Sequence, residues 1–117
     1  MISHETENGK VVIDSNVYTD IAGNAAINCF GVKGMAARSM KDGLYHLLRK
    51  ESARKGVHVE FHDDDSITIN LHIIVEHGIS LTAVGNSIIS EVRYVVKNTT
   101  GTDIRNVNVY IDSVIAE

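Results

Sequence analysis

Several residue types that organise small stapled or metal-held domains are nearly missing from this chain. Its 117 residues include one cysteine, no tryptophan and no proline, and aromatics make up only 5%. One cysteine excludes a disulfide framework and a four-cysteine zinc module, since each needs several thiols. No stretch approaches the ~18 consecutive apolar residues of a membrane-crossing helix. Residues 1–10 are polar and acidic and lack the apolar core of a signal peptide. What is present is an apolar fraction of 44%, too high for a disordered chain. The length fits a single domain of roughly 100–150 residues. The expectation is a small, soluble, cytoplasmic protein, with 1–8 as a flexible tail and 9–117 as one domain.

The formal net charge of −4 is unevenly spread. Between Lys33 and Lys55 lie seven bases (Lys33, Arg38, Lys41, Arg49, Lys50, Arg54 and Lys55) and two acids, giving +5 against −9 for the remainder. Such a segment is either a solvated face whose long side chains cover apolar surface or a landing site for an anionic partner. Those seven bases are the candidate interaction surface. Without tryptophan or phenylalanine in the segment, contact with anionic lipid should be weak.

Periodicity sets out the elements. The run Lys10–Ile13 is β-branched and reads as a strand. Asp14 or Ser15 caps a helix whose stripe is Val17, Ile21, Ala25 and Cys29, and whose Ala22, Gly23 and Ala26 give a flat face for close packing. Gly31 ends it, leading to a glycine-punctuated loop. Ser39 then caps a second, basic helix carrying Met40, Leu44, Leu47 and Leu48, closed by Gly56. Val57, Val59 and Phe61 alternate with His58, Glu60 and His62 as a half-buried strand. The acidic turn Asp63–Asp65 joins it to the strictest alternation in the chain, Ile67 to Val75. Ser80 caps a long helix bearing Leu81, Val84, Ile88, Val92, Val95 and Val96, stopped by Asn98–Gly101, and a closing strand spans about Asn106–Asp112.

The predicted class is α+β. A mostly antiparallel sheet of about four strands carries two helices on one face in the order βαββαβ, as in ferredoxin-like folds, with the basic helix as an extra element after the first helix. The strand from Ile67 is expected at the centre and its hairpin partner at an edge.

No motif here signals catalysis: nucleophile elbow, phosphate loop and dinucleotide fingerprint are all missing from the sequence. Cys29 falls on the apolar stripe and reads as a core residue. His58, Glu60, His62 and His72 fall on the same side of two neighbouring strands, a spacing compatible with zinc. Strand period alone also produces it, so no metal or other cofactor is assigned. Asp63–Asp65 lacks the ligand spacing of a calcium loop and reads as a charged turn. Gly31-Val32-Lys33-Gly34 lies between two predicted helices, as in the GxxG clamp of KH domains, which would bind single-stranded RNA through Lys33, Arg38 and Lys41. Ala37 falls where KH sequences place a larger apolar anchor. The simpler reading of Gly31, Val32 and Gly34 is a tight chain reversal.

Several blocks together resemble a known family. They are Ile21-Ala22-Gly23, Cys29-Phe30-Gly31-Val32-Lys33-Gly34-Met35-Ala36, Lys41-Asp42-Gly43-Leu44, Ile73-Ile74-Val75-Glu76-His77-Gly78, Val92-Arg93-Tyr94-Val95-Val96 and Val107-Asn108-Val109-Tyr110-Ile111. Spread over about residues 9–115, they resemble the bacterial alkaline-shock and envelope-stress-response protein family, in its YloU-like branch. At His77 that family more often carries an aromatic residue. The resemblance implies a non-enzymatic, self-associating protein that meets the inner face of the membrane through a protein partner, itself membrane-anchored in some members. It implies no catalytic residues, no cofactor and no small-molecule substrate.

Overall fold

The computed structural model describes residues 1–38, 45–48 and 55–116, with side-chain surroundings for 1–36 and 55–116. Nine elements follow in chain order among these residues: β1 (Ile2–Thr6), β2 (Gly9–Ile13), α1 (Ser15–Ile27), β3 (Val32–Arg38), β4 (Tyr45–Leu48), β5 (Val57–Phe61), β6 (Ser66–Glu76), α2 (Leu81–Thr100) and β7 (Asp103–Ile115). The class is α+β, as the periodicities require.

The helix boundaries follow local chemistry. The Asp14 carboxylate accepts from the Asn16 amide at 3.2 Å and starts α1. The Ser80 hydroxyl accepts from the Ala83 amide and starts α2. Gly101 closes α2 at φ 73°, its amide donating to the Lys97 carbonyl at 2.8 Å. A glycine takes this left-handed cap without the steric penalty of a Cβ.

β6 is the centre of the main sheet. β7 runs parallel along its whole length, from Ser66↔Asp103 to Glu76↔Ile115, connected by α2 in a βαβ crossover. The opposite side of β6 is shared end to end. β5 pairs antiparallel with Ile67–Leu71, and β3 pairs antiparallel around Ile73–Val75. β4 extends the sheet beyond β3. Where β3 and β5 meet over β6, Gly56 has no room for a side chain. A Cβ there would stand 2.9 Å from the Met35 Cβ and 3.1 Å from the carbonyl oxygens of Ala36 and His72.

Alternation along β6 divides the molecule. Ile67, Ile69, Leu71, Ile73 and Val75 are fully buried and face both helices, against Tyr18, Ala22 and Ala26 of α1 and Val84, Ile88, Val92 and Val96 of α2. The small side chains of α1 allow the close packing expected of them. The alternate residues Thr68, Asn70 and His72 face the other side of the sheet, which is polar there.

Three expectations are corrected. Residues 2–6, expected as part of a tail, form β1 and pair with β2 in a separate two-stranded sheet, with Ile2 only 4% exposed in the core. The Lys10–Ile13 strand therefore belongs to that hairpin, and the ferredoxin-like order is not formed. The glycine-punctuated loop is strand β3, and part of the expected basic helix, Tyr45–Leu48, is strand β4. The reason is non-local. β5 covers only the first half of one edge of β6, and the amides and carbonyls of the second half require a partner. β3 supplies it, and β4 in turn pairs with Met35–Arg38. The rest of the expected basic helix lies outside the described residues.

Candidate functional site

The polar face of the sheet is built from three strands in register. His58 of β5, Asn70 of β6 and Asn108 of β7 form one row, and His72 of β6 stands beside Tyr110 of β7 in the next. The side chains bond across the strands. The Asn70 amide donates to Glu60 Oε2 at 2.7 Å, and the Asn108 amide donates to Asn70 Oδ1 at 2.9 Å. His62 Nε2 lies 2.7 Å from the Thr68 hydroxyl.

The most constrained group is His72. Its Nδ1 lies 2.9 Å from Asp112 Oδ2, and the side chains are 17% and 10% exposed. An ionised carboxylate can only accept, so Nδ1 carries the hydrogen and donates it. The imidazole also stacks on the Tyr110 ring, with centroids 4.9 Å apart and planes at 14°. Asp112 reaches this position because the β6–β7 register shifts between Ile73 and Ile74, setting Ile111 opposite Ile73 and Ser113 opposite Ile74. His72, Asp112, Tyr110, Asn70, His58 and Lys55 line an open cleft of about 520 Å³.

The four residues considered for zinc do not converge. Glu60, His62 and His72 each bond a different neighbour, His58 is exposed, and among the described residues no three His, Cys, Asp or Glu side chains are placed to share an ion. The Asp63–Asp65 turn is structural: the Asp64 carboxylate accepts from the Ser66 amide and hydroxyl at 3.0 and 2.6 Å and pairs with Arg105 at 3.2 Å. These contacts hold its pKa at about 2. Cys29 donates to the Ala25 carbonyl. Its thiol is pushed up by burial and by the nearby Glu91, which keeps it protonated and a poor nucleophile.

The helix–GxxG–helix arrangement is not formed. Gly31 sits in the turn after α1 at φ 87°, a backbone conformation that favours glycine, and a Cβ there would have to displace the terminal methyl of Ile79, 2.6 Å away. Val32 and Gly34 lie in β3, facing Val75 and Ile74 of β6, and the exposed Lys33 occupies the shift in register between them. A strand therefore follows Gly31 where a KH domain has its second helix, which removes the KH clamp geometry. Of the other candidate bases, Arg38 ends β3 opposite Tyr45, and Lys55 is exposed at the cleft. Lys41, Arg49, Lys50 and Arg54 lie outside the described residues. Asp112 and Tyr110 escaped sequence reasoning as site residues. Polar positions alternating along two strands marked a shared face, but only the register joins His72 to them.

The open edges of the sheet are the second feature. Among the described residues, β5 and β7 each pair with β6 alone. Arg93 of α2 donates to the Ile104 carbonyl and covers the start of the β7 edge. Beyond it the strand carries the exposed Tyr110 and Val114. Phe30 and Tyr94 are also exposed, at 81% and 66%. Among the described residues no helix is long and apolar enough to cross a membrane.

Comparison with known proteins adds a family. The profile of the alkaline shock protein family, described as having a cell envelope-related function, matches residues 3–116. The uncharacterized protein YloU of Bacillus subtilis is 36% identical over 97% of this chain and 94% of its own length. The uncharacterized protein Spy1614 of Streptococcus pyogenes is 31% identical over 93% of this chain and 90% of its own. The uncharacterized protein YqhY of Bacillus subtilis is 33% identical over 95% and 81%. No solved structure matches.

Proposed function

Because the chain belongs to the alkaline shock protein family, whose function is related to the cell envelope, we propose that it is a non-enzymatic interaction and scaffolding module of the bacterial envelope stress response. In this reading it is cytoplasmic, associates with further copies of itself and reaches the inner face of the membrane through a protein partner. The observation that carries the reading is the β7 edge. An unpaired strand edge presents a row of amides and carbonyls as a template for another chain. β7 is the longest strand described, and past Arg93 no other described strand pairs with its outer edge. The β5 edge offers the same chemistry on a shorter strand. Exposed Phe30 and Tyr94 add the aromatic anchors that interaction surfaces favour.

Light scattering across the micromolar range tests this. The expected result is a dimer or larger assembly, weakened about tenfold or more by Val114→Lys, since an inserted charge on an edge opposes strand addition. Circular dichroism of the variant verifies its fold. A monomer throughout that range, or an assembly indifferent to Val114→Lys, would overturn the reading.

A further inference from the structure

We propose that the cleft on the polar face of the sheet binds a phosphate-bearing ligand, with His72, Lys55 and Asn70 as its hydrogen-bond donors. The His72 ring is fixed on two sides, by Asp112 at Nδ1 and by the Tyr110 ring against its face. That leaves Nε2, on the far side of the ring from Asp112, without a hydrogen-bond partner among the described residues. In its imidazolium form the ring donates at both nitrogens, Nδ1 to Asp112 and Nε2 outward into the cleft.

The other groups point to the same ligand chemistry. The Lys55 amine is exposed at the rim, and His58 stands beside it on β5. Asn70 is 8% exposed and spends one amide hydrogen on Glu60, while its oxygen already accepts from Asn108. It therefore has a donor left and its acceptor engaged. The two carboxylates nearby are committed as well, Asp112 to His72 and Glu60 to Asn70. The Lys55 amine and the remaining Asn70 amide hydrogen are donors suited to an acceptor-rich anion. The volume of about 520 Å³ falls in the range of small-molecule sites and leaves room for an organic group on the phosphate.

This inference does not rest on self-association and is tested apart from it. The full chain is titrated with glycerol 3-phosphate while the imidazole and tyrosine ring signals are followed by NMR, with sodium chloride at matched ionic strength as control. Saturable shifts at His72, His58 and Tyr110 are expected, with affinity falling about tenfold in Lys55→Ala, the magnitude of one lost charge-assisted hydrogen bond. Lys55 is exposed, so its removal leaves the sheet intact, and His72→Gln serves as the second variant. A parallel arm uses vesicles of phosphatidylglycerol against phosphatidylcholine. Binding to the former, competed by glycerol 3-phosphate, identifies a lipid headgroup, whereas binding of the soluble ester alone identifies a free metabolite. No saturable shift up to about 10 mM, or shifts unchanged in both variants, would overturn the proposal.

Discussion

Tyr18 shows how a single buried polar atom is managed in this molecule. Its ring is fully buried between α1 and the sheet, edge-on to Phe61, and its hydroxyl lies 2.7 Å from the Thr102 hydroxyl. His4 Nε2 joins the same oxygen at 3.2 Å. Burial pushes the phenol above its ordinary value of 10.0, because a phenolate would lose its hydration there. Thr102→Val strands the phenol, and a loss of about 1–3 kcal/mol is expected in urea unfolding. Adding Tyr18→Phe should recover part of that loss. The pH dependence has a definite sign. The unfolded phenol ionises first, so the native state binds more protons and stability falls as pH rises above about 10. Tyr18→Phe should remove that part of the alkaline loss. Neither partner was legible in the sequence: the expected α1 stripe began at Val17, which is 40% exposed, and Thr102 lies 84 positions away.

At the scale of the element, the β5–β6 hairpin gives the closest agreement between pattern and structure. Alternation marked Val57, Val59 and Phe61 and the run from Ile67 to Val75 as two strands of one hairpin, and the structure pairs them, Val57 with Leu71, Val59 with Ile69 and Phe61 with Ile67. The Asp63–Asp65 turn was equally legible as a turn, though not its mechanism. Asp65 takes φ 66°, and the Asp64 carboxylate is held at about 2 by the Ser66 hydroxyl and amide and by Arg105. A carboxylate depressed on folding contributes stability in full above its ordinary 3.8 and loses it as pH falls through about 2. Acid unfolding of the native chain should therefore steepen below about pH 4, and Asp64→Asn should flatten that limb. Asp65→Gly relieves the left-handed backbone, with a gain of up to about 1 kcal/mol expected from denaturant midpoints. The basic segment is the counterexample. Its leucines fell at helical spacing, yet Tyr45–Leu48 is a strand, because pairing with Met35–Arg38 overrides a weak local preference already lowered by Gly43.

For the whole molecule, the separate β1–β2 sheet raises a direct question about the chain start. Ile2 is buried in the main core and His4 reaches Thr102, so the hairpin contributes to global stability. Ile2→Ala should cost about 2–4 kcal/mol, and deletion of residues 1–8 should lower stability comparably. A thermal melt unchanged by either would show that the segment behaves as the tail its sequence suggested. The hairpin was missed because a short polar strand has no apolar period. Ser3 and Glu5 are exposed, and Ile2 alone supplies the buried contact.

Residues that repeat along one element were decided by the sequence. The caps at Asp14, Ser80 and Gly101, the Val84–Ile88–Val92–Val96 stripe of α2 and the division of β6 into an apolar and a polar face follow from local spacing, because side-chain direction is fixed by backbone period. On α1 the buried face is Tyr18, Ala22 and Ala26, one residue round from the expected stripe at Val17, Ile21 and Ala25. Only the tertiary structure decided what fills each edge of β6. It set β7 parallel along one side, β5 and β3 end to end along the other, and Asp112 against His72 across 40 positions. Backbone donors must find acceptors, and a carboxylate finds an imidazole through register. Both conditions are met by residues far apart in the chain, and no local pattern encodes them.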